Sequence, residues 1–222
     1  MAESRLAGQT EFVLPRRRLA ARLERAGVTD RRLLQAVATV PRHRLIPEVL
    51  RGRAYRDVAL PIGDGQTISA PGVVAAMTEA LDLQGPESVL EVGTGSGYQA
   101  AILSQLAAQI CSVERVPRLA ALARTALDSL GICNVVVHLG DGSNGRPQDA
   151  PFDAIVVTAG GPTVPQPLLD QLAPGGCLVG PFGSREEQRL LRVRRTRRGD
   201  FEHTVLGRCR FVDLVGAHGW AA

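Results

Sequence analysis

The sequence contains no lysine: all 26 of its basic residues are arginine. That excludes Schiff-base catalysis through an ammonium side chain, and it excludes a P-loop, whose lysine reaches the bound phosphates. Aromatic residues amount to 4%, with one Trp and two Tyr, so a platform for stacking single-stranded nucleic acid is poorly supplied. The four cysteines, Cys111, Cys133, Cys177 and Cys209, are too far apart to form a CxxC pair. They read as small core residues in a reducing compartment rather than as zinc or redox ligands. No run approaches the roughly 18 apolar residues of a membrane span, and Met1 to Thr10 carries acidic and polar residues where a signal peptide would be apolar. A cytoplasmic protein without a membrane partner is expected.

What is present suits a folded enzyme. The 222 residues are 45% hydrophobic and 22% charged, with 24 Gly and 14 Pro, and the length fits one elaborated domain better than two. The net charge of +4 attracts acidic substrates only modestly. Residues 1–55 read as polar packing helices, with apolar positions Leu19, Leu23 and Ala26, then Leu33, Leu34, Val37 and Val40, three and four apart. Asp30 is placed to cap the second helix and Pro41 to end it.

From Ser88 the pattern changes to short apolar runs alternating with helices, which predicts βαβ units and a parallel sheet. The predicted strands are Ser88 to Val92, Ile110 to Glu114, Val135 to Leu139, Phe152 to Thr158 and Cys177 to Val179. Helices are expected over Gln99 to Leu106, Pro117 to Leu130 with Gly131 as its stop, and Gln166 to Leu172, the last followed by a turn at Pro174-Gly175-Gly176. Gln188 to Arg195 and His203 to Leu214 predict an antiparallel hairpin at the sheet edge. The arginines between Arg189 and Arg198 are there read as edge protection, not as a nucleic-acid patch. The chain thus divides into an N-terminal helical extension (1–55), a βαβ core (56–183) and C-terminal antiparallel strands (184–222) within a single domain.

The chemistry centres on Glu91-Val92-Gly93-Thr94-Gly95-Ser96-Gly97-Tyr98, between the first core strand and its helix. Glycines here allow a sharp turn and a close approach of backbone to ligand. Glu114 ends the next strand, where an acidic side chain can accept hydrogen bonds from both hydroxyls of a ribose. NAD and S-adenosylmethionine both contain adenosine; the GxGxG spacing, shorter than GxGxxG, and Glu91 favour the methyl donor over an oxidoreductase reading. Gly140-Asp141-Gly142, ending the third strand, is positioned to hold adenine, although Asp-Gly alone more often marks a turn.

The donor loop, continued through Gln99-Ala100-Ala101, resembles the first motif of the protein-L-isoaspartate O-methyltransferases. Ala54-Tyr55, Leu60-Pro61-Ile62-Gly63 and Gln66-Thr67-Ile68-Ser69-Ala70-Pro71 resemble the segment that sets this family apart from other methyltransferases. Pro151-Phe152-Asp153, Val157-Thr158-Ala159, Gln171 to Gly176 and Phe211-Val212 extend the resemblance over Tyr55 to Leu214. It implies a Rossmann-like, seven-stranded class I fold that transfers a methyl group from S-adenosylmethionine, leaving S-adenosylhomocysteine. The acceptor implied is the α-carboxylate of L-isoaspartyl residues in damaged proteins and peptides. The alternative is a related carboxyl O-methyltransferase with a dedicated peptide or metabolite substrate.

By the same resemblance Ser69 is the catalytic candidate, beside the transferring methyl. The donor site would comprise Gln66, Thr67, Ile68, Ser69, Val74, Glu91, Gly93, Thr94, Gly95, Ser96, Gly97, Glu114, Arg115, Asp141 and Gly142. Ser69 also precedes Ala-Pro as a helix N-cap would. The four histidines have no spacing that suits a triad with Ser69 or a metal. The family pattern is left at Asp213, where proline is common, and at Gly160-Gly161, where alanine is. A monomer is expected, since substrate polypeptides must reach the site.

Overall fold

The computed structural model describes residues 11–221, so the readings made on Met1 to Thr10 lie outside the described residues. Helix α1 (Val13–Arg25) buries Leu19, Ala20 and Leu23; Ala26 caps its end and is exposed, and Val28 takes the buried position expected of it. In α2 (Arg31–Thr39) the Asp30 side chain accepts from the Arg32 and Leu33 N–H groups as a cap should, and Val40, ahead of Pro41, leaves the helix in an extended conformation.

A two-stranded antiparallel hairpin of β1 (Leu60–Gly63) and β2 (Gln66–Ile68) follows, then α3 (Pro71–Ala80). The main chain next winds through β3 (Ser88–Val92), α4 (Tyr98–Leu103), β4 (Gln109–Glu114), α5 (Pro117–Ser129), β5 (Val135–Leu139) and β6 (Phe152–Val157). It ends with α6 (Gln166–Asp170), β7 (Leu172–Gly183), β8 (Gln188–Arg195) and β9 (Phe201–Cys209). The seven-stranded sheet has the order β5-β4-β3-β6-β7-β8-β9; β5 to β7 pair in parallel and β7-β8-β9 antiparallel.

The central strands are buried on both faces and mostly apolar, with Glu91 and Ser112 as buried polar exceptions, which is why they read as short apolar runs. Val89, Ala154, Val156 and Val179 join the cluster formed with α1 to α5. Their neighbours Leu90, Ile155, Val157 and Leu178 point the other way, against Leu168 and Leu169 of α6. The register at β3 and β6 carries the ends of both strands to the same edge, Val92 opposite Val157.

Several expectations need correction. The Pro174-Gly175-Gly176 turn lies inside β7: Phe152 pairs with Leu172 and Ala154 with Cys177, so the segment between them bulges, with Gly175 at φ +86°. The hairpin's second strand stops at Cys209, and β8 with its arginines is interior, β9 being the edge. Arg195 donates to the Leu172 carbonyl and lies over the Phe201 ring, so it packs instead of guarding an edge. Of the cysteines only Cys177 is buried; Cys133 is exposed.

Candidate active site

The turn after β3 is shaped by three left-handed glycines, Gly93 (φ +96°), Gly95 (φ +54°) and Gly97 (φ +83°). A Cβ at Gly93 would run into the Thr158 hydroxyl, which donates to the Val92 and Gly93 carbonyls (3.0 and 2.6 Å). The turn is tied to the sheet by Gly93 N–H to the Val113 carbonyl (2.8 Å) and closed by Gly97 N–H to the Thr94 carbonyl (2.8 Å).

Glu114 reaches the turn from the end of β4. Its Oε2 accepts from the Gly95 N–H and its Oε1 from the Val116 N–H, each at 2.8 Å. A carboxylate oxygen takes more than one hydrogen bond, so both retain acceptor capacity, and the residue lines the cleft. Glu91 lies beneath the same turn, fully buried. Burial pushes its carboxyl up to about 8; the hydrogen bond from the Ser112 hydroxyl opposes the rise, and the Glu114 charge adds to it. Thr94 and Ser112 hydroxyls meet at 2.6 Å, linking the turn through Ser112 to Glu91.

Two adjoining hollows make up the cleft, sharing Thr67, Gly93, Gly95 and Thr158. One contains Gln66, Glu114, Arg115 and Gly142. The other contains Ile68, Ser69, Val74, Thr94 and Ser96. The structure therefore brings most of the anticipated residues together. Glu91, Gly97 and Asp141 do not line it. Gly97 serves the turn through its left-handed backbone; a Cβ there would meet Ala123 and Leu127 at ordinary contact distance. The Asp141 carboxylate accepts from Ser143 N–H and Oγ, Asn144 Nδ2 and Ala217 N–H. Burial would raise its pKa, but the bonds from Ala217 and Ser143 outweigh that and hold it below the usual value.

Ser69 does not cap α3. The cap residue is Ala70, and the early Gly72 N–H is taken by the Asp57 carboxylate at 2.7 Å. Among the described residues the Ser69 hydroxyl makes no hydrogen bond, and the residue lines the second hollow. The β1-β2 tip is held to α5 by the Asp64–Arg118 ion pair (2.8 Å).

Lining residues outside the anticipated donor set include Val113, Val116, Thr158, Ala159 and Val212 to Val215, together with Met77, Tyr98 and Gln99. Thr158 had a signal, since it follows β6 at the edge where Val92 ends β3. The 212–215 wall is held by a network of distant partners. The Gln188 amide clamps Phe211 through both its N–H and its carbonyl, Gly160 exchanges bonds with Val212 and Leu214, and Trp220 Nε1 donates to the Gly160 carbonyl at 2.9 Å. Both departures from the family pattern are accommodated there. A Cβ at Gly160 would strike Gln188, and Asp213 pairs with Arg185 at 2.7 Å, whose guanidinium lies 4.6 Å over the Trp220 ring.

Away from the cleft, Cys111, His138 and Asp149 bring ligand atoms within 4.8 Å of one another, a grouping that no sequence spacing announces. Arg146 Nε already sits 2.8 Å from Asp149 Oδ2 and supplies the positive charge there. Burial and the Asp149 carboxylate push the Cys111 thiol up to about 12. Among the described residues no helix is long and apolar enough to cross a membrane.

Known proteins resemble this chain over most of its length. The family model described as protein-L-isoaspartate(D-aspartate) O-methyltransferase matches residues 15–219. A protein-L-isoaspartate O-methyltransferase of Syntrophobacter fumaroxidans is 55% identical over 194 residues, 87% of this chain and 90% of its own. One from Rhodopseudomonas palustris is 51% identical over 215 residues, 96% of this chain and 88% of its own. A solved protein-L-isoaspartate O-methyltransferase superposes with a TM-score of 0.83 at 29% identity, covering 92% of this chain and 67% of that one. A Plasmodium falciparum structure described as a beta-aspartate methyltransferase, in complex with S-adenosyl-L-homocysteine, shares the fold, with a TM-score of 0.78 at 24% identity, covering 90% and 98% of the two chains.

Proposed function

The chain belongs to the protein-L-isoaspartate(D-aspartate) O-methyltransferase family, and from that premise we infer how its cleft carries out S-adenosylmethionine-dependent methylation of L-isoaspartyl α-carboxylates in damaged proteins and peptides. The observation that supports this reading best is the convergence of Ser69, which has a free hydroxyl, and Glu114, which has spare acceptors, on the two joined hollows around Gly93 and Gly95.

The residues present fit the methyl donor. Glu114 would take the ribose hydroxyls, Gly93 and Gly95 would let the donor lie against bare backbone, and Arg115 and Gly142 would border it. Gln66, Thr67, Ile68 and Val74 would cover it. Asp141 ties the backbone beside Gly142 to Ala217, and Glu91 supports the glycine turn through Ser112. When bound, the donor supplies a methyl group made electrophilic by its sulfonium.

The acceptor needs no base, because a carboxylate of ordinary pKa near 4 is ionised at neutral pH. The protein's task is therefore to orient this oxygen and exclude water. The Ser69 hydroxyl donates to the carboxylate oxygen and aims it into the cleft, while Ile68, Val74 and Met77 give that hollow one apolar side.

The test uses labelled S-adenosylmethionine with two peptides that differ only in isoaspartyl against aspartyl linkage. Transfer to the isoaspartyl peptide alone is expected. Donor binding by calorimetry without any transfer to that peptide would reject the assignment.

A further inference from the structure

Arg42 is the largest fully buried side chain of the molecule that carries a charge. It belongs to the N-terminal extension, in a short 3-10 turn over Arg42–Arg44, and lies outside every segment that lines the cleft. Burial lowers its pKa to about 10, so the guanidinium is charged at neutral pH. Taking a cation out of water is expensive, and among the described residues no carboxylate forms an ion pair with it, the Asp57 charge acting from farther off. Nε donates to the Ala54 carbonyl at 2.9 Å and Nη2 to the Ser69 carbonyl at 2.7 Å, while among the described residues Nη1 has no partner. The guanidinium carbon lies 4.6 Å over the ring of Tyr98, a residue of the cleft. If this position only filled space, an apolar side chain would do so at lower cost, without an orphaned N–H.

What the arginine holds is the peptide carbonyl of Ser69. Two further anchors flank that residue. Ile68 pairs with Leu60 in the β1-β2 hairpin, and Asp57 takes the Gly72 N–H just beyond it. The planar fork spans two carbonyls at once, which an ammonium group on a flexible stem does not reproduce.

We propose that Arg42 is a positioning residue for methyl transfer: by gripping the Ser69 carbonyl it sets the direction of the Ser69 hydroxyl toward the cleft. This rests on the reading of Ser69 given above. It gives the N-terminal extension a part in turnover that donor binding does not share, since Glu114 and the glycine turn are anchored without it.

The test is a double-mutant cycle on the full chain, with kcat for the isoaspartyl peptide and donor affinity measured on Arg42→Lys, Ser69→Ala and the double variant. Arg42→Lys should lower kcat by about 10- to 100-fold, the scale of a small misplacement of a reacting group, with donor affinity changed less than about twofold. The double variant should be no slower than Ser69→Ala. Arg42→Gln, which keeps a planar donor for one carbonyl, serves the same cycle if the Lys variant does not fold. Losses that multiply in the double variant, or a donor affinity that falls in step with kcat, would overturn the positioning role while leaving Ser69 in place. Wild-type turnover in Ser69→Ala would overturn the reading of Ser69 and this proposal together.

Discussion

The floor of the cleft and its walls are built in different ways. The floor is a product of one βαβ unit: Glu114 holds Gly95 at a separation of 19 residues, and Ser112 holds Glu91 at 21. The walls exist only where distant parts of the chain meet. Arg42 grips Ser69 across 27 residues, Trp220 reaches Gly160 across 60, and Ala217 reaches Asp141 across 76. The floor forms with its own sheet, whereas the walls depend on both ends of the chain docking. Damage to the floor should therefore abolish donor binding, and damage to the walls should leave most of it intact.

The largest effect is expected at Gly93. Gly93→Val places a β-branched residue at φ +96° and drives it into Thr158, costing on the order of 2–6 kcal/mol between strain and overpacking. Calorimetry should find no donor binding, and binding of wild-type strength would refute a floor made of bare backbone.

Glu91 comes next, on the scale of a few kcal/mol. The folded protein keeps its proton up to about 8, while the unfolded chain loses it near the ordinary glutamate value of about 4.3. Between those limits the native state binds more protons, so this group makes stability fall as pH rises. Glu91→Gln, which cannot ionise, should flatten that slope in melting experiments from pH 5 to 8. An unchanged slope would show that the carboxyl ionises freely.

Glu114→Gln puts an N–H₂ group against the Gly95 or Val116 N–H and removes a charged acceptor. Donor affinity should fall by about 2–3 kcal/mol, with folding retained. The smallest effect belongs to the far wall. Trp220→Ala removes the bond to Gly160 and the surface under Arg185, neither of which touches the cleft, so donor affinity should drop by no more than about 1 kcal/mol. A loss as large as that of the Glu114 variant would erase the distinction between floor and walls.

The same division decides what could be read in advance. The strands β3, β4 and β6 announce themselves because burial on both faces makes them mostly apolar runs, interrupted by the buried Glu91 and Ser112. The glycine turn and Glu114 are legible because their contacts are local and their residue types have few substitutes. The β1-β2 hairpin is hidden by its brevity and by Pro61, Gly63 and Gly65. In β7, Pro174-Gly175-Gly176 carries turn chemistry but is spent on a bulge, since pairing with β6 continues on either side. Arg42, Asp57 and Gln188 give no local signal at all: each matters for a backbone group far along the chain.

The tip of the β1-β2 hairpin bears on how the enzyme empties. Gln66 and Thr67 line the cleft, and their hairpin tip meets α5 through Arg118, which donates to the Ile62 carbonyl at 3.4 Å and forms an ion pair with Asp64 in which both side chains are exposed to solvent. Such a pair is worth about 0–1 kcal/mol in water and less as salt rises. On the proposed reading of the cleft, the spent donor would lie behind a door with a weak catch on a rigid frame, and its exchange would need only that the tip swing while the sheet beneath stays still.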